Sequence, residues 1–494
     1  MILNTSANRY GFIDYDIGIS YDIDENYRIF KQIFNGDDTV VIRLFENRQN
    51  PQIRYLGISV NGMVKTNSIY QSITSPLITM SFDGNGDRID AMAEKMITSL
   101  DIKVRDNISD IVTDVLYGDT AIFVSGSNRA ITVETKGFST RSISEPDNER
   151  GLKGSKEGFT EALIVNTSMI RRRILSSDLK FEFFRMGSRT NTLVCVAYMD
   201  SLIDKRMLTE FLRRLKKIRT DGILDTNYID EQIKDRRHSP FKTCGSTEKP
   251  DIVAAQLLEG RVALIVDGTP IVLTAPYLFI ENFQSPDDYY LNFWFASIGR
   301  IIRIIGFFIT ISLPSIYLAL VTYHSEMLPN TFLNAIAEAS RGVPFPTFLE
   351  CVFMLFVFEI LRETGIRMPS KVGQALSIVG GLVVGQAAVE AKIVSAPMVI
   401  VVAFTGITGL CVPRLSGAAI IIRTLALVST AMLGFYGFFG FMIIVLIHLL
   451  SVKSFGYDYV TLAFGYQDIK DIYFRAPHDK MRTRPIFAKD KIRK

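Results

Sequence analysis

The sequence predicts two structural classes in series: an α/β soluble N-terminal head made of two similar tandem subdomains, followed by an all-α polytopic transmembrane domain. Three observations carry this expectation. Charged residues are frequent through residues 1–290, which hold no apolar run long enough to span a bilayer. Residues 301–450 are dominated by Ile, Leu, Val, Phe, Gly and Ala, and a spanning helix needs roughly 20 apolar residues because hydrocarbon cannot satisfy a bare backbone group. The head also repeats itself. With 494 residues, one core is not enough, and several domains are expected.

Within the head, DIVTDVLYGDTAIFVSGSNRAITV (Asp110–Val133) parallels DIVAAQLLEGRVALIVDGTPIVLT (Asp251–Thr274). Setting Gly118 on Gly260 also superposes Leu116 on Leu258, Ala121 on Ala263, Val124 on Val266 and Gly126 on Gly268. Each copy reads as a short helix, a strand, a tight glycine turn and a second strand. Upstream, IRYLGISVNGMVKTN (Ile53–Asn67) matches TLVCVAYMDSLIDKR (Thr192–Arg206) at nearly the same offset. After the latter, Ile203, Met207, Phe211, Leu212, Leu215 and Ile218 form one apolar helical face. These repeats divide the head into subdomains at 1–145 and 146–290. The polar stretch Ser142–Glu157 reads as their linker. Behind it, Arg171, Arg172 and Arg173 are expected on a solvated, ion-paired helix face.

No catalytic signature emerges. GLKGSK (Gly151–Lys156) lacks the glycine spacing and preceding strand of a phosphate loop. His238, His324, His448 and His478 are scattered, without metal spacing. Cys195, Cys244, Cys351 and Cys411 lie far apart, which suggests neither disulfides nor a metal cluster. No dinucleotide fingerprint or nucleophile elbow appears. The chain is therefore read as a non-enzyme that needs no cofactor, and no nucleic-acid partner is expected. Met1–Ser20 does not have the pattern of a secretory signal, so the head is expected to be cytoplasmic.

The membrane domain is placed at 291–452. Tyr289, Tyr290, Phe293, Trp294 and Phe295 beside Arg300 and Arg303 form an interfacial anchor. A span over Ile304–Tyr323 follows, with a bend expected at Pro314. Thr347–Leu361 is a shorter run holding Glu350 and Glu359, and the cations of Arg362–Lys371 belong on the head side. Ile393–Val412 is a further span, and Gly417–Leu450 is one long helix or two short ones. With the basic tail at 453–494 on the head side, crossings must be even. Four are favoured, with Val372–Ala391 dipping partway, and six is the fallback.

An acid in an apolar helix needs a partner or water, which singles out Glu359. Small residues in an oily region leave room for a conduit. On these grounds Ile378, Val379, Gly380, Gly381, Val383, Val384, Gly385 and Gln386 are the candidate pore lining, with Glu359 nearby. Val383 and Val384 are placed to close it by dewetting. The competing function is a non-conducting membrane scaffold that relays a signal.

Several long segments in order resemble the GerA family, the A subunits of bacterial spore germination proteins, from about Ile23 to about Pro485. The most specific are FTEALIVNTSMIRRRI (Phe159–Ile174), KPDIVAAQLLEGRVALIVDGTP (Lys249–Pro270), SPDDYY (Ser285–Tyr290), GVPFP (Gly342–Pro346) and ETGIRMPSKVGQALSIVGGLVVGQAAVEAKIVSAPMVIVVA (Glu363–Ala403). One departure is that Arg341 directly precedes Gly342, where the family usually interposes a Glu. The resemblance implies a multi-pass protein of the spore inner membrane, with head and tail cytoplasmic. It also implies a homo-oligomeric ring, a pentamer, that conducts ions on nutrient binding, with a permease-like B subunit and a lipoprotein C subunit as partners. A relative encoded with the dipicolinate transport genes is the other branch it implies.

Overall fold

The protein is described here from a computed structural model. It describes residues 17–80, 88–97, 101–138, 153–367, 383–460 and 474–481 continuously, with 5–7, 13–15, 99, 381, 471, 484 and 488 besides.

The first subdomain runs α1 (Ile23–Ile33), β1 (Val40–Glu46), β2 (Arg54–Val60), short helical turns between 66 and 96, β3 (Ile102–Arg105), α2 (Ile108–Tyr117), β4 (Asp119–Val124) and β5 (Ala130–Glu134). The second runs α3 (Leu163–Arg173), β6 (Leu179–Met186), β7 (Thr192–Met199), α4 (Lys205–Lys217), α5 (Asn227–Ile233), β8 (Gly245–Thr247), α6 (Pro250–Leu258), β9 (Val262–Val266) and β10 (Val272–Ala275). The sheet orders are β1-β2-β4-β5-β3 and β6-β7-β9-β10-β8, antiparallel throughout. The two sheets therefore share one topology.

Their registers coincide as well. Tyr55 faces Val124 in the first sheet and Val194 faces Val266 in the second. Ala121 faces Thr132 where Ala263 faces Thr274. The turns agree down to backbone sign: Gly118 and Gly260 take φ of 105° and 86°, and Gly126 and Gly268 take 83° and 92°. A side chain at such angles meets the following carbonyl, so glycine fills them. The similarity noticed in the sequence is a repeat of the fold.

Each sheet is covered on both faces. In the first, Phe30, Ile33, Ile111 and Val115 from α1 and α2 pack on one face, and Ile73, Leu77, Ile89 and Met92 on the other. In the second, Ile170, Val253 and Leu257 from α3 and α6 take the corresponding face. The expected stripe of α4, Met207, Phe211 and Leu215, takes the opposite one. Helix starts are set locally: Asp22, Asn107 and Asp204 each accept a hydrogen bond from the backbone N–H two residues on, satisfying donors a helix leaves unpaired.

The helical half contains α7 (Phe293–Thr322), α8 (Asn330–Ala339), α9 (Thr347–Arg367), a short helix over 383–390, α10 (Ala396–Gly409), α11 (Ser416–Leu433) and α12 (Phe435–Ser451). Among the described residues, two helices are long and apolar enough to cross a membrane, Phe293–Thr322 and Pro413–Leu433, with Ala396–Gly409 and Phe435–Ser451 apolar but shorter. α7 continues through Pro314 without interruption and begins some ten residues before the expected span. α9 extends beyond the expected Leu361 to Arg367, because Glu363 and Arg367 pair one turn apart on its outer face.

Helix ends alternate between the head-proximal and distal sides of this bundle. Phe307 packs against head residues, whereas Tyr323 at the far end of α7 meets Gly434. The 383–390 helix leads to Lys392, which abuts Gly342 at the distal side, and α10 returns until Thr408 lies beside Gly306. Gly434, at φ 59° and ψ −140°, splits the last apolar stretch into the antiparallel pair α11 and α12. Four crossings and six differ in the course of Val372–Ala391, of which 383–390 is a described helix. The course of 368–380 lies outside the described residues.

Candidate functional site

Of the candidate pore residues, Ile378, Val379 and Gly380 lie outside the described residues. Gly381, Val383, Val384, Gly385 and Gln386 are described, the last four on one short helix. Gly385 and Ala388 face inward; a Cβ on Gly385 would sit 3.4 Å from Val399 Cγ1 of α10. The other face is open. Val383 is 57% and Val384 37% exposed, and Gly381, Gln386 and Glu390 are exposed beside them. Gln386 Nε2 donates to Glu390 Oε1 at 3.0 Å. A surface mixing glycine, valine, an amide and a carboxylate suits neither lipid nor a dry core.

Glu359 is not on that face. It accepts from Arg362, one turn along α9 at 2.7 Å, and from Arg423 of α11 at 2.5 Å. Arg423 is 4% exposed. The carboxylate therefore ties α9 to α11, and pairing of this kind is what permits charge at such depth. The spacing along α9 puts Arg362 within reach of Glu359, whereas nothing in the sequence places Arg423 beside it. A second acid does related work. Glu350, 3% exposed, accepts from the backbone N–H and the hydroxyl of Ser395 at 2.5 Å each, just ahead of α10. It caps the start of that helix, where the backbone leaves donors free and the dipole favours an anion.

The bundle is joined to the second subdomain by side chains distant in sequence. Phe241, Tyr277 and Phe283 of the head share one apolar cluster with Phe307, Ile311, Val412 and Ala418. Ser239 Oγ lies 2.9 Å from His448 Nε2 in the last turn of α12. At the start of α7, Arg300 is fully buried between Asp288 at 3.0 Å and Asp471 at 3.1 Å, and Arg303 grips Asp288 from its other side. Burial pushes the Asp471 carboxyl above its ordinary value, with the Arg300 charge opposing.

The segment directly after α12 packs against the head. It forms a hairpin of β11 (Lys453–Ser454) and β12 (Tyr457–Asp458) and pushes Phe455 into the core of the second subdomain beside Phe211. Arg214 lies over that ring, the Phe455 N–H donates to Asp235 at 2.9 Å, and Tyr457 donates to Asp204 at 2.8 Å. Sequence reasoning took this segment for the start of a basic tail. Its signal was the single phenylalanine of SFGYDYV (Ser454–Val460), too short a pattern to register.

The two subdomains are also locked together. Arg171 is buried at 1% exposure and paired with a fully buried Asp37 across the interface, with Thr39 Oγ1 at 3.3 Å. The Asp38 N–H donates to Phe181 O at 2.8 Å, and Lys180 Nζ to Ile33 O at 3.0 Å. The expectation of a solvated arginine face is corrected here. Arg172 and Arg173 do pair with Glu157 in a half-buried position, but Arg171 faces inward and holds the halves of the head together.

The family model for the Bacillus/Clostridium GerA spore germination protein matches residues 28–487. The chain is 39% identical to spore germination protein KA of Bacillus subtilis (strain 168) over 96% of this chain and 88% of that protein. It is 34% identical to spore germination protein B1 of the same organism over 94% and 97%. The N-terminal domain of the A subunit of the Bacillus megaterium spore germinant receptor GerK3 aligns at a TM-score of 0.39 and 28% identity, over 53% of this chain and 98% of that one.

Proposed function

This chain belongs to the Bacillus/Clostridium GerA spore germination protein family, and from that premise we propose that it is the A subunit of a spore germinant receptor forming a nutrient-gated ion channel in the spore inner membrane. Head and hairpin lie on the cytoplasmic side. Copies of the chain assemble as a ring, a pentamer, with a permease-like B subunit and a lipoprotein C subunit, and nutrient binding favours the open ring by differential affinity for the two states.

The observation that carries the channel reading is the exposed face of the 383–390 helix. Five copies of this surface, turned toward a common axis, would bring Gln386 and Glu390 to water and set Val383 and Val384 as an apolar constriction. Ile378, Val379, Gly380 and Gly381 would continue the lining, and Gly385 packs the helix against α10. Glu359 enters as the support of the neighbouring helices through Arg423.

The test is substitution of Val383 and Val384 by serine, with ion release from spores recorded. A wetted constriction is expected to leak without nutrient. Unchanged gating at both positions removes the assignment. Purified chain in liposomes separates the channel from a non-conducting scaffold, which would leave ion gradients intact.

A further inference from the structure

The turn between α5 and β8 reads KDRRHSPFK (Lys234–Lys242). Arg236, Arg237, His238 and Lys242 are exposed, whereas Ser239 and Phe241 between them are buried. The acid in the stretch is already engaged: Asp235 accepts from Arg214 at 2.7 Å and from the Phe455 N–H at 2.9 Å. Among the described residues no salt bridge reaches Arg236, Arg237 or Lys242.

The buried pair fixes where these cations stand. Ser239 meets His448, and the Phe241 ring lies 6.1 Å from that imidazole and 5.9 Å from Phe279. His448 is three residues from the end of α12, whose outward side chains Ile443, Ile444, Ile447 and Leu450 are exposed and apolar. The cationic turn is therefore pinned at the level where the oily surface of the bundle stops. Exposed Lys453 follows α12 at the same level.

We propose that Arg236, Arg237 and Lys242 form a docking site for the phosphate headgroups of anionic phospholipids in the leaflet facing the head. This rests on the reading that the helical bundle is membrane-embedded. Arginine presents a planar fork of donors that matches phosphate oxygens, and cations at a negatively charged leaflet gain attraction that decays within a Debye length. The head is thereby held against the membrane by lipid as well as by its protein contacts.

The experiment uses the full chain, purified in detergent and reconstituted with equal amounts of phosphatidylglycerol and phosphatidylcholine, with retained lipid counted by mass spectrometry. The wild-type chain is expected to enrich phosphatidylglycerol. The triple variant Arg236→Gln, Arg237→Gln, Lys242→Gln is expected to lower that enrichment by roughly tenfold. A control changing Arg28, Arg43 and Lys103 to Gln, three exposed cations of the first subdomain, should leave it unchanged. Equal enrichment in wild type and triple variant overturns the proposal, as does displacement of the lipid by inorganic phosphate, which would make the occupant a soluble anion. A wild-type chain without preference also overturns it, leaving an acidic protein surface as the occupant. A chain that stays dissolved without detergent would instead remove the membrane reading beneath it.

Discussion

Arg171 illustrates how one side chain can belong to two folding units. It sits in the last turn of α3, one of three consecutive arginines, yet Arg172 and Arg173 stay partly exposed and it does not. Helical geometry turns successive residues by about 100°, so a run of three cannot share an environment. Its guanidinium lies over the Phe181 ring and holds Asp37. Removing one member of a buried pair strands the other charge, a loss of roughly 3–5 kcal/mol. Arg171→Ala should therefore markedly lower the melting temperature of the full chain in detergent, followed by tryptophan-independent circular dichroism. The double change Arg171→Met with Asp37→Leu should be better tolerated than either single change. If Arg171→Ala melts with the wild type, the pair does not hold the subdomains together.

At the scale of the element, α4 shows how a surface helix is wired to what lies behind it. Its apolar stripe packs on the sheet, and on the other side Glu210 receives Arg213 and Arg214, while Arg214 continues to Asp235. Hydrogen bonds from Arg213 and then Arg214 hold the Glu210 carboxyl down at about 2, against an ordinary 4.5. A carboxylate with a depressed folded value stabilises the fold above its unfolded value, and the contribution fades as pH falls toward the folded one. The advantage of wild type over Glu210→Gln in denaturant midpoint should thus be full at pH 6 and shrink between about 4.5 and 2. A constant difference across that window would mean that the arginines do not grip this acid. Elements also differ in how readily they can be read. The α4 stripe was evident from its spacing, whereas the split of the last apolar stretch depended on Gly434, one of many glycines there.

For the whole molecule, the hairpin after α12 matters most, because it returns the end of the helical half to the core of the head. With Phe241 at one side and Phe455 at the other, movement of α12 relative to the second subdomain requires both aromatic seats to open. A phenylalanine removed from such a core costs about 3–5 kcal/mol. Phe455→Ala is expected to lower the melting temperature and to make the chain after Ser451 sensitive to limited trypsin digestion at Lys453, an exposed residue on the hairpin. Unchanged digestion would show that the hairpin is held by its hydrogen bonds to Asp235 and Asp204 alone. Among the described residues, these contacts join the bundle to the second subdomain.

What the sequence determined by itself was everything set by local pattern: the division between charged head and apolar helices, the paired strand-and-turn units, the amphipathic face of α4, and the oddity of Glu359 in an oily helix. Periodicity and composition act over a few residues, so they survive without knowledge of the fold. Tertiary structure alone decided which charges meet. Glu359 with Arg423, Asp37 with Arg171 and Arg300 with Asp471 are separated by 64, 134 and 171 residues. Such pairs depend on how elements pack, and nothing in the spacing of either member names its partner. The seat of Phe455 was hidden for the same reason: one aromatic ring is a weak pattern along the chain and becomes an anchor only where a core is open to receive it.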